Sequence, residues 1–359
     1  MILMKVSNSR HLQRGMNLVE VLVALVLGLL VSVVALGSAQ SFSGISRTQT
    51  GQGSALASAS AAMDALRQDI QLSGLGFFSD TAPLCPRINA SFNGTPIVDG
   101  QAFAPLAVLP QGTGSDRIEL VHAAEVTAGS AFRLLAPMSQ PMSPVMVRSG
   151  VQIQTGDAVL LSNAAANQPC TLASAGALTP VAGGRVELAF STPGGFTPAD
   201  WSGAFSELPN YSEQASVSVL GSLNWIRYEL VADRLEREDL LTGQRSVIAR
   251  GIVQMRAQYG LAASNADNMI ESWVDAQAGG GLSAGDWTRM RALRVAVVAV
   301  NGEAQRPDAQ GQCDATLEAP ALWPGESAAL AQRAQWQCSR YRVWSTWVAL
   351  PNLQWGQGR

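Results

Sequence analysis

Arg14-Gly15-Met16-Asn17-Leu18-Val19-Glu20, running directly into an apolar stretch from Val21 to Leu36, decides how this chain is built. A helix from Leu18 to Leu36, rising ~1.5 Å per residue, covers nearly the ~30 Å hydrocarbon core of a bilayer. Lys5, Arg10 and Arg14 all precede it, and the next basic residue is Arg47. The positive-inside rule therefore leaves the N-terminus in the cytoplasm and the body on the far side. Glu20 is the one carboxylate in the segment. At mid-bilayer an ionised carboxylate costs ~3 kcal/mol, so its presence points to a function. The plainer alternative is a first-turn carboxylate solvated at the interface and stabilised by the helix N-terminal dipole. A secretory signal peptide competes for the same stretch, with Gly37-Ser38-Ala39 as a small-residue cleavage site. Glu20 interrupts what should then be a purely apolar core, and the helical pattern continues past the supposed cut.

The basic leader, Gly15 and Glu20 together resemble the type III signal of the type IV pilin family, which includes pilins, minor pilins and the pseudopilins of type II secretion. The resemblance implies that a prepilin peptidase cuts after Gly15 and methylates Met16, and that Glu20 guides assembly by pairing with the free amine of a neighbour's Met16. Asn17 departs from the commoner Thr or Ser but is likewise small and polar. The expected organisation is a leader at 1–15, a transmembrane helix segment at 16–36, a periplasmic amphipathic continuation at 37–75 and a β-rich head at 76–359. The expected fold class is α+β: a long N-terminal helix followed by a large antiparallel pilin-like head.

The formal net charge is −3, and removing the three leader cations takes it to −6. Such a chain is not a general binder of phosphate backbones. Lys5 is the only lysine, a bias that carries no recognition surface by itself. Cys85, Cys170, Cys313 and Cys338 are widely spaced with no C-x-x-C, which disfavours zinc and redox motifs. Beyond an inner membrane the compartment is oxidising, so disulfides are expected. Of the three possible connectivities we favour Cys313–Cys338, which closes a local loop, with Cys85–Cys170 as the remaining pair; four buried thiols are the alternative.

From Gly37 to Leu75 the chain is rich in Ala, Ser and Gln, and Leu56, Ala59, Met63, Leu66 and Ile70 fall near helical spacing among polar neighbours. Continuous with the apolar run, this predicts a rod of ~85 Å from Asn17 to Ser73, stopped by Gly74 and Gly76. Phe77 to Gly114, punctuated by five prolines, is expected to be irregular. Strands are expected at Arg117–His122, Ala158–Ser162, Arg185–Ser191, Asn224–Val231, Leu235–Leu240, Val253–Tyr259, Leu293–Val300 and Tyr341–Leu350.

Ile226-Arg227-Tyr228-Glu229-Leu230, Leu235-x-Arg237, Gln254 through Tyr259-Gly260, Ala292 to Val298 and Arg342-Val343-Trp344 are similar to the larger minor pilins of the PilW type. The first two also occur in J-type pseudopilins. No enzyme and no cofactor are expected. Gly281-Leu282-Ser283-Ala284-Gly285 matches a nucleophile elbow but lacks a preceding strand and a later histidine. His122 has no catalytic partner in view, and no phosphate-binding loop is present. Ser264-Asn265-Ala266-Asp267-Asn268 lacks the spacing of a calcium loop and reads as a turn. Arg289, Arg291 and Arg294 beside Trp287 could touch DNA, but read better as a solvated strand face.

The resemblance therefore implies a minor pilin of the type IV pilus, anchored in the inner membrane with a periplasmic head, that primes assembly and sits at or near the tip. Its implied partners are the prepilin peptidase, other minor pilins, the major pilin and the assembly platform. The implied processes are twitching motility, adhesion and DNA uptake. The alternatives are a J-type minor pseudopilin of type II secretion, or a tip adhesin or DNA-binding module touching DNA or a host surface.

Overall fold

The computed structural model describes residues 18–77, 85, 87–111, 114–124, 131–150, 152–163, 168–190, 195–213, 215–276, 282, 284–301 and 304–354. Gly15, Met16 and Ser283 lie outside these. Helix α1 runs from Leu18 to Leu72 as one element of 55 residues, ~82 Å long at the usual rise. It stops where Gly74 takes a φ of 78°, a conformation glycine adopts without strain.

Along the chain follow β1 (Arg87–Phe92), β2 (Thr95–Ala102), β3 (Leu106–Gln111), β4 (Ser115–Ala123), β5 (Ala131–Arg133), β6 (Val145–Arg148), β7 (Ala158–Ser162), β8 (Cys170–Val181) and β9 (Arg185–Phe190). Next come the one-turn helix α2 (Trp201–Ala204), then β10 (Ser216–Gly221), β11 (Leu223–Val231), β12 (Arg234–Asp239), β13 (Arg245–Arg250), β14 (Ile252–Ala262) and β15 (Ile270–Asp275). The chain continues through α3 (Ala284–Trp287), β16 (Met290–Asn301), β17 (Ala321–Trp323), β18 (Glu326–Ser327), β19 (Arg340–Ala349) and α4 (Pro351–Gln354).

The strands build two lobes. In the lobe nearest the helix, a five-stranded sheet in the order β13-β12-β11-β4-β3 and a four-stranded sheet in the order β15-β14-β16-β19 are both antiparallel. Strand β16 lies between β14 and β19 with both faces covered. Leu293, Val295, Val297 and Ala299 join the helix-side core, while Ala296 and Val298 pack under Leu322, Trp323 and Leu330. This is why its sequence is an almost unbroken apolar run instead of an alternation.

The second lobe is an eight-stranded sheet that curls nearly closed. The ladder runs β5-β10-β7-β8-β9-β6, every pair antiparallel, around a separate core that includes Leu134, Val147, Leu161, Leu188 and Val217. Strand β1 adds to β8 in parallel, and β2 pairs with β1. Cys85 is bonded to Cys170 at the start of β8, and Cys313 to Cys338 before β19.

Two expectations are corrected here. The proline-punctuated stretch 77–114 holds three strands, because its prolines fall where no ladder N–H is needed. Pro96 lies in β2 and Pro110 in β3, each at a sheet edge, and Pro105 precedes β3. The buried stripe of α1 is also rotated from the expected one. Ala55, Ala59, Ala62, Leu66 and Ile70 form it, Met63 flanks it, and Leu56 is exposed. Alanines on the inner line let the sheets approach the helix axis closely, which a larger side chain would prevent.

Candidate functional site

The two halves of α1 have opposite surroundings. From Leu18 to Ala35 every residue is exposed, and among the described residues this is the one helix long and apolar enough to cross a membrane. Glu20 lies in its first turn and is the only ionisable side chain in that span. Val23, Ala24 and Leu27 follow it at spacings of three, four and seven, so one helix face carries the carboxylate followed by an apolar stripe. Among the described residues of α1 there is no opposite charge beside it.

The other half of α1 is fastened to the head. Its alanine stripe packs against β16, β19, β13 and β4. Where the stripe ends, Asp69 reaches two strands of the five-stranded sheet. Its Oδ2 accepts from the Tyr228 hydroxyl on β11 at 2.6 Å and from Arg237 Nε on β12 at 3.0 Å. Tyr228 is fully buried, and burial together with the adjacent carboxylate pushes its pKa well above the usual phenol range. His122 on β4 brings Nε2 to 4.0 Å from Asp69 Oδ1, while its Nδ1–H donates to the Ala123 carbonyl at 2.9 Å.

Beyond the helix end, Gly74 N donates to Val121 O and Ala123 N to Leu75 O, so the departing chain is stitched to β4. Asn352 on α4 closes the junction by donating to Gln71 O at 3.0 Å. Tyr228 and Arg237 are residues of the sequence motifs that resemble the larger minor pilins. The structure brings both to a single helix carboxylate.

A second polar group joins the two sheets. Asp116 on β4 is 1% exposed; its Oδ2 accepts from Ala257 N at 2.7 Å and its Oδ1 from Arg256 Nη1 at 2.8 Å. Arg256 also reaches Asp275 and Glu326. Burial outweighs these bonds and raises the Asp116 pKa from 3.8 to about 6. Between those two values the folded protein holds the proton more tightly than the unfolded chain, so this group's contribution to stability falls as pH rises through the window. The loss reaches about 3 kcal/mol. Unfolding free energies measured from pH ~4 to ~7 should show wild type losing ground to Asp116→Asn up to about pH 6 and then running level.

The remaining sequence candidates are accounted for by packing. His122 is buried in the junction. The carbonyls of Ser264, Asn265 and Asp267 accept from Arg291, which makes that turn an arginine clamp. Arg289 pairs with Asp286, and Arg294 lies between the rings of Trp273 and Trp323 while donating to Gln258. The three arginines do not form a shared solvated face, a correction to the sequence expectation. Gly260 matters for the same group: a Cβ there would meet the Trp273 ring at 2.8 Å. Among the described residues, no group of three or more His, Cys, Asp or Glu is gathered as a metal set would be.

An exposed helix of membrane-spanning length continues unbroken into the core of an antiparallel β head. Residues 223–352 match the family described as Type IV Pilus-assembly protein W. The matched segment begins at β11 and ends in α4, so it contains Tyr228, Arg237 and Asn352 of the helix junction. Among solved structures, a type IV-like pilin from Thermus thermophilus aligns at 11% identity over 84% of this chain and 96% of its own, with a TM-score of 0.34. No curated protein sequence matches the chain.

Proposed function

We propose that the chain is a minor pilin that enters the type IV pilus through α1 and displays its two-lobed head from the filament. The observation that carries this is the division of one helix. An exposed apolar half bearing Glu20 is continuous with a half packed against sheets that include the segment matching the PilW family. A signal peptide cut after Ala39 would leave the packed residues Ala55 to Ile70 in place, so the N-terminus of the mature chain decides between the two readings.

In this reading the prepilin peptidase cleaves after Gly15 and methylates Met16, and the new amine becomes the partner for Glu20 of an adjacent subunit. The head stands on the periplasmic side of the inner membrane until the helix is drawn into the filament. The assembly platform, the major pilin and other minor pilins are then the partners. A place at or near the tip suits a head this large, because a bulky β domain is accommodated most easily where no further subunit stacks above it.

Intact-mass and N-terminal peptide analysis of membrane-extracted protein tests the pathway. The expected product begins at N-methylated Met16 and persists as full-length precursor when the prepilin peptidase is deleted. A start near Gln40, or a leader retained in both strains, would refute it.

A further inference from the structure

The second lobe lies outside the segment that matches the PilW family, and its core contains no residue of α1. Its six-strand ladder would close into a barrel if β5 paired with β6, but no β5–β6 ladder forms. One backbone bond joins the seam, Leu135 N to Met146 O at 2.8 Å. The two strands are antiparallel by the order of the ladder, so continuing from that bond would set Arg133 directly opposite Arg148. Like charges directly opposed across strands destabilise pairing, and the seam opens there. The gap is a cleft of about 560 Å³ lined by Arg133, Arg148 and Glu213 together with the apolar Ala131, Phe132, Leu134 and Leu135. Leu134 is a buried residue of the lobe's core and Phe132 packs against that core half-buried, so the apolar side of the cleft is continuous with it.

Among the charged residues lining the cleft, Arg133 and Arg148 outnumber Glu213. Among the described residues neither Arg133 nor Arg148 has a hydrogen-bond or ion-pair partner, whereas the arginines of the other lobe are largely tied to carboxylates. Arg185 stands opposite Arg148 on β9 and donates to Ala182 O. The acids nearby are Glu213 in the cleft lining and Glu187 opposite Met146. Two guanidiniums without a partner among the described residues, an unused strand edge and apolar lining residues together specify an occupant. Its backbone extends β5, its outward side chains are carboxylates, and its inward side chains are apolar.

We propose that the seam between β5 and β6 is a docking cleft for an extended acidic peptide segment of a partner protein, alternating acidic and apolar residues. A nucleic acid fits poorly, because the cleft is short, lined by leucine and phenylalanine, and set in a chain of net negative charge. The cleft lies in the lobe that does not hold the helix, which leaves it accessible when α1 is packed among other helices.

The test uses the full-length protein in detergent micelles and a fluorescein-labelled, N-acetylated hexapeptide of alternating Glu and Val, titrated by anisotropy. A peptide with Lys in place of Glu is the control. Saturable binding of the Glu peptide alone is expected, weakened about fivefold by Arg133→Ala and by Arg148→Ala. Both side chains are exposed, so the thermal unfolding curve should not move. The double variant Arg133→Glu/Arg148→Glu should reverse the preference and favour the Lys peptide. Equal binding of both peptides, absence of saturation, a preference that survives charge reversal, or displacement by a single-stranded oligonucleotide at equal charge would each overturn the proposal. None of these outcomes depends on whether α1 is processed as a pilin.

Discussion

Asp69→Ala should destabilise the head by about 3 kcal/mol, the largest loss expected from any single side chain at the helix junction. The carboxylate is 14% exposed and serves the fully buried Tyr228 hydroxyl and a 31%-exposed Arg237. Its removal leaves the hydroxyl with only the long 3.4 Å contact to Ala65 O and leaves the guanidinium without its ion-pair partner. Tyr228→Phe removes one hydrogen bond while keeping the ring packed, and should cost about 1 kcal/mol. The two effects should not add, because the bond lost in the second variant is already absent in the first. Denaturant unfolding of both single variants and the double variant measures this coupling. Additivity to within about 0.5 kcal/mol would mean that Asp69 and Tyr228 do not act together, and the latch would have to be given up.

The latch also shows what sequence alone makes legible. Tyr228 and Arg237 stand out as strand residues of a recurring pattern, and Asp69 reads only as one polar residue on the wet side of an amphipathic helix. Their meeting across more than 150 positions is a property of the tertiary fold, which no local periodicity encodes. The helix itself is legible because the apolar run and the alanine stripe each extend over several turns.

The error in its buried face came from weighting large side chains. Leu56 is apolar enough to be assigned inward, but Ala55 one position earlier permits the closer approach of the sheets. Strands of the helix-side lobe are visible because Val, Ile, Tyr and Trp alternate or cluster in them. Strand β8 is not, since Ala173, Ser174, Ala175, Gly176 and Ala177 carry little strand signal; Ala173 and Ala175 pack in the lobe's core, whereas Ala177 is exposed. The cleft is illegible for a different reason: Arg133 and Arg148 line one cleft only because β10, β7, β8 and β9 bring β6 back beside β5.

On the proposed assembly, Glu20→Ala should leave the proposed cleavage after Gly15 intact and remove the protein from sheared pili, with incorporation falling by well over tenfold. Two opposing terms decide the outcome. In the bilayer the alanine variant is the more comfortable, by less than the ~3 kcal/mol of a mid-bilayer charge because position 20 lies in the first turn, so retention in the membrane fraction should rise, not fall. In the filament the variant loses a carboxylate–ammonium pair worth ~4 kcal/mol at 4 Å and an effective dielectric constant near 20. Removing the charge therefore strengthens anchoring and weakens assembly. A residue that served only to start the helix would produce neither shift. Glu20→Asp keeps the charge on a shorter stem and should recover part of the incorporation, whereas Glu20→Gln keeps the shape and should not. Quantitative blotting of membrane and sheared-pilus fractions separates the cases. Wild-type incorporation of the alanine variant would show that Glu20 is solvated at the interface and that the helix assembles by apolar packing alone.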